Sequence, residues 1–366
     1  VTHKALTHGR SIAVVVVVAV VMLLAGIAIG MAISPGGSTQ IATTIHVPIT
    51  QVVTSTRPAQ ISVIDALGRE VVFDGVPKRV VSLAPSVTEI LFALGLGDRV
   101  VGVTSFCNYP PEVPRLVSEG RISVIGGFWN PDSEKVVSLK PDLVIGSAGT
   151  RPHLQLKDLL EEAGIKVVYV YGNDAGSLYD VVRDIRTIAR IFGVEDAAEK
   201  LIKEIEGEIG SVTITIANAT RGSAGPKVLL LLGPPAFGLY SAGGDTFIGW
   251  IISAAGGINI AGKFSGWPVL DYEYILSNNP DIIVVSAMGT NYTELIKEIG
   301  STPLTETKAY REGRVYLVDQ EANDVLMRPG PRIASAVKLM ASIIHPELFG
   351  EPETPVVYRM AGPAKP

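Results

Sequence analysis

Hydrophobic positions are arranged in three ways along this chain. From Ser11 to Ile33 they are continuous, a run of 23 residues without a charge, enough to cross about 30 Å of hydrocarbon. From Ile61 to Ile344, short apolar blocks alternate with stretches in which apolar residues recur every three or four positions. That pattern predicts buried parallel strands alternating with amphipathic helices. One helical stretch organises the rest. In Val194–Asn218, residues Ala198, Leu201, Ile202, Ile205, Ile209, Val212 and Ile216 form a single stripe. It is long for a connection and lies between two halves of similar pattern. Its far end reads SVTITI, which is β-branched, and Gly207 and Gly210 each disfavour helix by about 1 kcal/mol relative to Ala. The helix is therefore expected to be firm over Asp196–Ile209 and weakest beyond.

The apolar blocks predict strands at Val80–Leu83, Val100–Val103, Leu143–Gly146 and Lys166–Val170 before this stretch, and at Lys227–Leu232, Asp281–Ser286 and Val315–Val318 after it. ISVIDALGREVVFDG predicts a hairpin turning at Leu67-Gly68. Ser86 and Glu89 read as a capping box opening a helix that Gly95 stops. Ser177 and Asp180 cap another, ending at Gly193; further helices are predicted at Leu154–Ala163, Phe247–Ala255 and Pro331–Ile344. The proline-rich tail is expected to pack loosely. The organisation is thus a cytoplasmic N-terminus (1–10), a transmembrane anchor (11–33), a Ser/Thr/Pro linker (34–60), an N-terminal α/β lobe (61–193), an inter-lobe helix (194–218), a C-terminal α/β lobe (219–349) and a tail (350–366). The fold class is α/β, two Rossmann-like lobes with parallel sheets joined by one long α-helix, plus an N-terminal transmembrane helix. Lys4 and Arg10 precede the anchor and no positive charge follows until Arg57, which puts the bulk of the chain on the extracytoplasmic side of the cell membrane. The run exceeds a signal-peptide core and no small-x-small cleavage site follows it, which predicts an uncleaved, single-pass anchor.

The two halves repeat. PDSEKVVSLKPDLVIGS (131–147) and VLDYEYILSNNPDIIVVS (269–286) share a plan: Glu134 and Glu273, Pro141 and Pro280, Asp142 and Asp281, Ser147 and Ser286 are each 139 residues apart. Two related lobes enclose a cleft, and parallel sheets present ligands at the carboxyl ends of their strands. Aromatic residues fall on the loops expected there: Phe106, Tyr109, Phe128 and Trp129 from the first lobe, Phe237, Tyr240 and Trp267 from the second. Such rings favour a large, flat or apolar ligand over a sugar or an amino acid.

Composition changes the picture in a few respects. The chain is 47% hydrophobic with a mean hydropathy of +0.35, consistent with a membrane segment. A net charge of −5 without basic clusters argues against nucleic acid as a partner. The single cysteine, Cys107, excludes an intrachain disulfide, and the five histidines show no metal-ligand spacing. No G-x-S-x-G elbow or complete phosphate-binding motif is present, so a tethered hydrolase or a nucleotide-binding protein is disfavoured and no enzyme is expected.

DALGRE (65–70), RVVSLAPSVTEILFALG (79–95), CNYPP (107–111), SLKPDLVIGS (138–147) and RPGPR (328–332) resemble the substrate-binding proteins of ABC importers, in the class carrying cobalamin, iron-siderophores and haem. The resemblance spans about Ile61 to Phe349, and its first and third motifs are most similar to cobalamin binders. It implies two lobes joined by a long helix and a ligand that is a corrinoid, or alternatively a ferric siderophore or haem. It also implies an ABC permease with its ATPase subunits as partner. It puts Phe106, Phe128 or Trp129, Tyr240, Trp267 and Arg328 on the cleft wall, with Tyr109 nearby. Where cobalamin binders carry a further tryptophan, this chain has Ser147. His153, or Tyr109, would be the axial ligand were the ligand haem. Glu134 and Glu273 match the positions that dock on permease arginines.

Overall fold

The apolar blocks do become parallel strands. In the computed structural model, residues 60–287, 289–352 and 357–360 are described; the predicted anchor and nearly all of the linker lie outside them. A hairpin of β1 (Ile61–Ile64) and β2 (Glu70–Phe73) opens the described chain. The first lobe holds β3 (Val80–Ser82), β4 (Val100–Val103), β5 (Ser123–Val124), β6 (Leu143–Ser147) and β7 (Lys166–Val170), all parallel in the order β5-β4-β3-β6-β7. The second holds β8 (Lys227–Leu231), β9 (Ile258–Asn259), β10 (Ile282–Ser286), β11 (Val315–Val318) and β12 (Val357–Arg359), in the order β12-β11-β10-β8-β9. Strands β9-β8-β10-β11 repeat the parallel arrangement β4-β3-β6-β7, and β12 adds an antiparallel edge. The tail predicted to be loose is therefore partly a strand. Val357 alternates inward and is buried against the sheet, which fixes its register.

The sequence repeat has a structural cause. Asp142 and Asp281 stand just before the central strands β6 and β10. Asp142 Oδ2 accepts from the amides of Lys78 and Arg79, and its own amide donates to Arg79 O. Asp281 Oδ2 accepts from the amide of Lys227, and its amide donates to Lys227 O. In each lobe one carboxylate thus sets the register at which the first strand enters the sheet. Asp132 and Asp271 are a further matched pair, capping the helices Ser133–Ser138 and Tyr272–Asn278 by accepting from the amide three residues on.

One helix, Glu195–Thr220, joins the lobes. At about 1.5 Å per residue it spans roughly 39 Å. It runs unbroken through SVTITI because Val212 and Ile216 continue the buried stripe of Ala198, Ile202, Ile205 and Ile209; packing overrides intrinsic preference. The polar groups of that stretch turn inward on the helix itself: Thr213 Oγ1 donates to Gly210 O and Thr215 Oγ1 to Ser211 O. The helix packs on Leu178–Phe192 of the first lobe and Ile333–Ile344 of the second, and Arg186–Glu199 and Lys338–Glu208 ion pairs flank those contacts. Elsewhere the helix predicted at 154–163 divides at Leu156 into Arg151–Gln155 and Lys157–Glu162. Among the described residues no helix is long and apolar enough to cross a membrane.

Glu89 is not a capping residue. The helix Pro85–Ala93 starts with a proline and makes no side-chain cap bond. Glu89 is only 2% exposed and faces the second lobe. Its Oε1 and Oε2 accept from Arg332 Nη2 and Nε at 2.7 and 2.9 Å, and Oε1 accepts from Arg328 Nη1 at 3.0 Å. Arg328 is completed by Asp324 at 2.7 Å and by Asn108 Oδ1 and Phe106 O at 2.8 and 2.9 Å. Asn108 Nδ2 donates back to Asp324 at 2.7 Å. Two carboxylates and two guanidinium groups thus form an electroneutral clasp across the lobes. On the other flank the amide of Phe247 donates to Ala175 O, and Gly176 lies so close to Asp245 O that a Cβ there would stand 2.9 Å from it. Removing one member of a buried ion pair strands its partners. Glu89→Gln should lower unfolding free energy by about 3–5 kcal/mol, read as a shift in the urea midpoint, whereas replacing Glu89 and Arg332 together by Met should be milder. A loss below about 1 kcal/mol for Glu89→Gln would remove the clasp from the forces that hold the lobes.

Candidate functional site

The loops at the carboxyl ends of β3, β4, β5 and β7 face those after β11 across a cavity of about 290 Å³. One wall is aromatic. Phe106 follows β4, and Phe128 and Trp129 lie on the loop after β5; Phe128 is buried, its ring edge-on to Trp129 at 4.6 Å, while Trp129 is 63% exposed. The opposite wall is polar and comes from the helix Gln320–Leu326 and the turn after it: Gln320, Asn323, Asp324, Met327 and Arg328. Pro85, Ser86 and Asn173 close the sides. Phe106, Phe128, Trp129 and Arg328 are therefore brought together as expected on the cleft wall.

Arg328 differs in state from the expectation. Its guanidinium is engaged by Glu89, Asp324, Asn108 and Phe106 O and is not a free cation awaiting an anionic ligand. Asp324 is equally engaged, accepting from Asn108 and from Gln320 Nε2 at 2.8 Å. The groups left over are neutral. Asn323 Oδ1 accepts from Ser286 Oγ, which leaves its amide hydrogens. The side chains of Ser86 and Asn173 have no hydrogen-bond partner among the described residues.

Four of the aromatic residues expected at the cleft stand outside this cavity, among them Phe237, exposed at the end of the short helix Pro235–Phe237. Tyr109 is 40% exposed and lies under the Arg332 guanidinium, 4.1 Å from its ring centre. Tyr240 and Trp267 belong to the second lobe, 46% and 40% exposed. Tyr240 sits on the loop after β8, paired through its backbone with Val269, and Trp267 is edge-on to Phe247, the residue that bonds across to Ala175. Glu134 and Glu273 are exposed in the first turns of matched helices and make no side-chain hydrogen bond or ion pair among the described residues.

His153 is not available as an axial ligand. It is fully buried; Nδ1 accepts from the Ser147 amide at 3.1 Å and Nε2 donates to Phe128 O at 3.0 Å. Burial, opposed by the bond to Phe128, pushes its pKa down to about 4, so it stays neutral. Its ring lies edge-on to Phe128 at 4.9 Å. It is a strut that ties the end of β6 to the aromatic wall. Among the described residues no group of three or more His, Cys, Asp or Glu is placed to hold a metal ion.

The residues that sequence reasoning missed are the clasp partners of Arg328 and the rest of the polar wall. A glutamate on the buried face of an otherwise apolar helix was the available signal for Glu89, since such a group requires a cationic partner. Asp184 was also missed. Its two oxygens accept from the amides of Tyr171 and Gly172 at 2.8 and 2.9 Å, and Ser147 Oγ accepts from the amide of Asn173. Together they set the turn that carries Asn173 into the cavity. Burial pushes the Asp184 carboxyl up to about 7 despite the two amide bonds, with Asp180 adding to the rise and Arg183 opposing it. The folded value lies above an unfolded value of about 3.9, so the stability Asp184 contributes is full below about pH 4 and is lost as pH rises to about 7. Carbon-13 NMR of the Asp184 carboxyl should show a midpoint near 7, with the Tyr171 and Gly172 amide signals moving alongside; a midpoint near 4 would mean that the amides outweigh burial.

The sequence pattern of the family described as Periplasmic binding protein matches residues 80–322. An uncharacterised ABC transporter substrate-binding lipoprotein of Bacillus subtilis is 34% identical over 80% of this chain and 87% of its own. A cobalamin-binding protein of Halobacterium salinarum is 34% identical over 77% of this chain and 73% of its own. Among solved structures, a periplasmic haem-binding protein of Roseiflexus sp. RS-1 in apo form superposes with a TM-score of 0.63 at 30% identity, covering 73% of this chain and 98% of that one. Two parallel-sheet lobes, the helix between them and these sequence matches agree: the chain belongs to the periplasmic binding protein family, among the substrate-binding proteins of ABC importers.

Proposed function

We propose that this protein is an extracytoplasmic receptor that takes up a corrinoid between its lobes and delivers it to an ABC permease. The observation that carries the ligand assignment is the chemistry of the cleft: an aromatic wall of Phe106, Phe128 and Trp129 faces neutral hydrogen-bonding groups, and its one cation is already paired. A corrin is a large apolar macrocycle fringed with uncharged amides, which such walls suit. Haem brings carboxylates and an iron that takes an axial donor; His153 is sealed off from that role, which leaves the exposed Tyr109 as the donor a haem would have to use. At about 290 Å³ the cavity is at the small end of ligand pockets. It receives one edge of the ring. The cobalamin-binding relative supports this reading. The haem-binding neighbour favours a second one, the same receptor role for haem or a ferric siderophore.

The residues that dock on the permease are Glu134 and Glu273, one unpaired carboxylate per lobe at the start of equivalent helices. They would steer and orient the approach to basic residues. The N-terminal run 11–33 holds the receptor at the membrane and 34–60 gives it reach. Because the clasp and the long helix join the lobes, capture proceeds with small lobe movement.

Calorimetry across cobalamin, haem and ferric siderophores decides between the readings. Cobalamin should bind at micromolar concentration or tighter, and Trp129→Ala should weaken it about tenfold, roughly 1.4 kcal/mol. Binding of haem alone would overturn the corrinoid assignment while leaving the receptor role. The double variant Glu134→Lys with Glu273→Lys should keep ligand affinity and lose transport; lost affinity would place those carboxylates in the cleft instead.

A further inference from the structure

Beside Glu134 lies a surface groove of about 430 Å³ that belongs to neither the cleft nor the clasp. It runs between the helices Ser133–Ser138 and Lys157–Glu162 and is lined by Ser133, Glu134, Val137, Ser138, Leu159 and Ala163. Its floor is apolar, and Leu159 is 47% exposed, a large aliphatic side chain left uncovered on a helix whose other face packs Leu160 into the core. Its rim is acidic. Glu134 is unpaired among the described residues, and Glu162, next to Ala163 in the chain, is exposed and likewise unpaired. By contrast, the neighbouring Asp158 and Glu161 are engaged by Lys157, and Glu161 also by Arg69.

We propose that this groove is the first lobe's seat for the permease, receiving an apolar side chain from a permease loop while a basic residue beside it pairs with Glu134. The proposal rests on the docking role assigned to Glu134 and adds to it an apolar anchor. An exposed ion pair alone is weak and screened by salt. An apolar side chain seated next to it excludes water from the pair and supplies affinity that salt does not remove. The charge of the rim selects the occupant, since the unpaired Glu134 beside an apolar floor matches a segment that is both apolar and cationic and repels an acidic one.

The test uses the ligand-free full-length receptor and its cognate permease–ATPase complex in nanodiscs, with binding read by interferometry at low and high salt. Leu159→Asp should weaken binding at least tenfold at both salt concentrations, and Leu159→Met should keep it near the native value. Because Leu159 is half exposed, the Asp variant should retain the native circular dichroism spectrum and ligand affinity. Glu134→Lys should weaken binding most at low salt. If Leu159→Asp binds the permease as the native protein does while Glu134→Lys does not, the apolar seat is refuted and the docking role of Glu134 stands. If neither variant weakens binding, the docking reading falls and the seat with it. If Leu159→Asp leaves permease binding intact and instead abolishes a native self-association seen by light scattering, the groove is an interface with a second copy and the proposal is overturned.

Discussion

Glu89 is a carboxylate almost without water, held between two guanidinium groups from the opposite lobe. Burying that charge is unfavourable in isolation and tolerable only because Arg332 meets it in forked geometry and Arg328 adds a further bond, with Asp324 balancing the second positive charge. Everything at the cleft depends on this balance. It holds the floor of the cleft at one spacing. It pulls the helix Gln320–Leu326 against the first lobe, which places the polar wall opposite the aromatic one. It also pairs Arg328 with Asp324, the two charged side chains that line the cavity, so their charges balance there.

The inter-lobe helix and the clasp constrain the same degree of freedom from different positions. The helix Glu195–Thr220 carries each lobe on part of its buried stripe, and a continuous helix bends far less than a pair of extended strands. Opening the cleft widely would require breaking the clasp or the Ala175–Phe247 contact. The cavity is therefore nearly preformed, with Asp184, Ser147 and His153 holding its lining from behind.

Much of this was legible in the sequence, and the exceptions have physical causes. The central strands could be read because burial on both faces leaves a continuous apolar run, and the repeat because Asp142 and Asp281 do the same work in both sheets. The SVTITI end of the long helix looked doubtful because β-branched preference is local, whereas the burial of Val212 and Ile216 is a tertiary fact. Glu89 was mistaken for a cap because S-x-x-E records spacing and not the direction a side chain faces. His153 was read as a loop residue, an axial donor only were the ligand haem, because nothing in its neighbourhood reveals that Ser147 and Phe128 occupy both ring nitrogens. Four cleft-wall residues were identified from motif and loop position; the amide wall was not, since asparagine and glutamine after a strand are common in solvated turns.

The short strand β12 has a consequence of a different kind. Without it, β11 would leave a four-residue parallel edge of fully buried Val, Tyr and Leu positions open at the rim of the second sheet. With it, the outermost strand is only three residues long, is antiparallel, and carries Arg359. Brevity and charge make a poor template for another chain to pair against. The strand β12 thereby acts as a guard against strand-to-strand pairing at the rim of the second sheet.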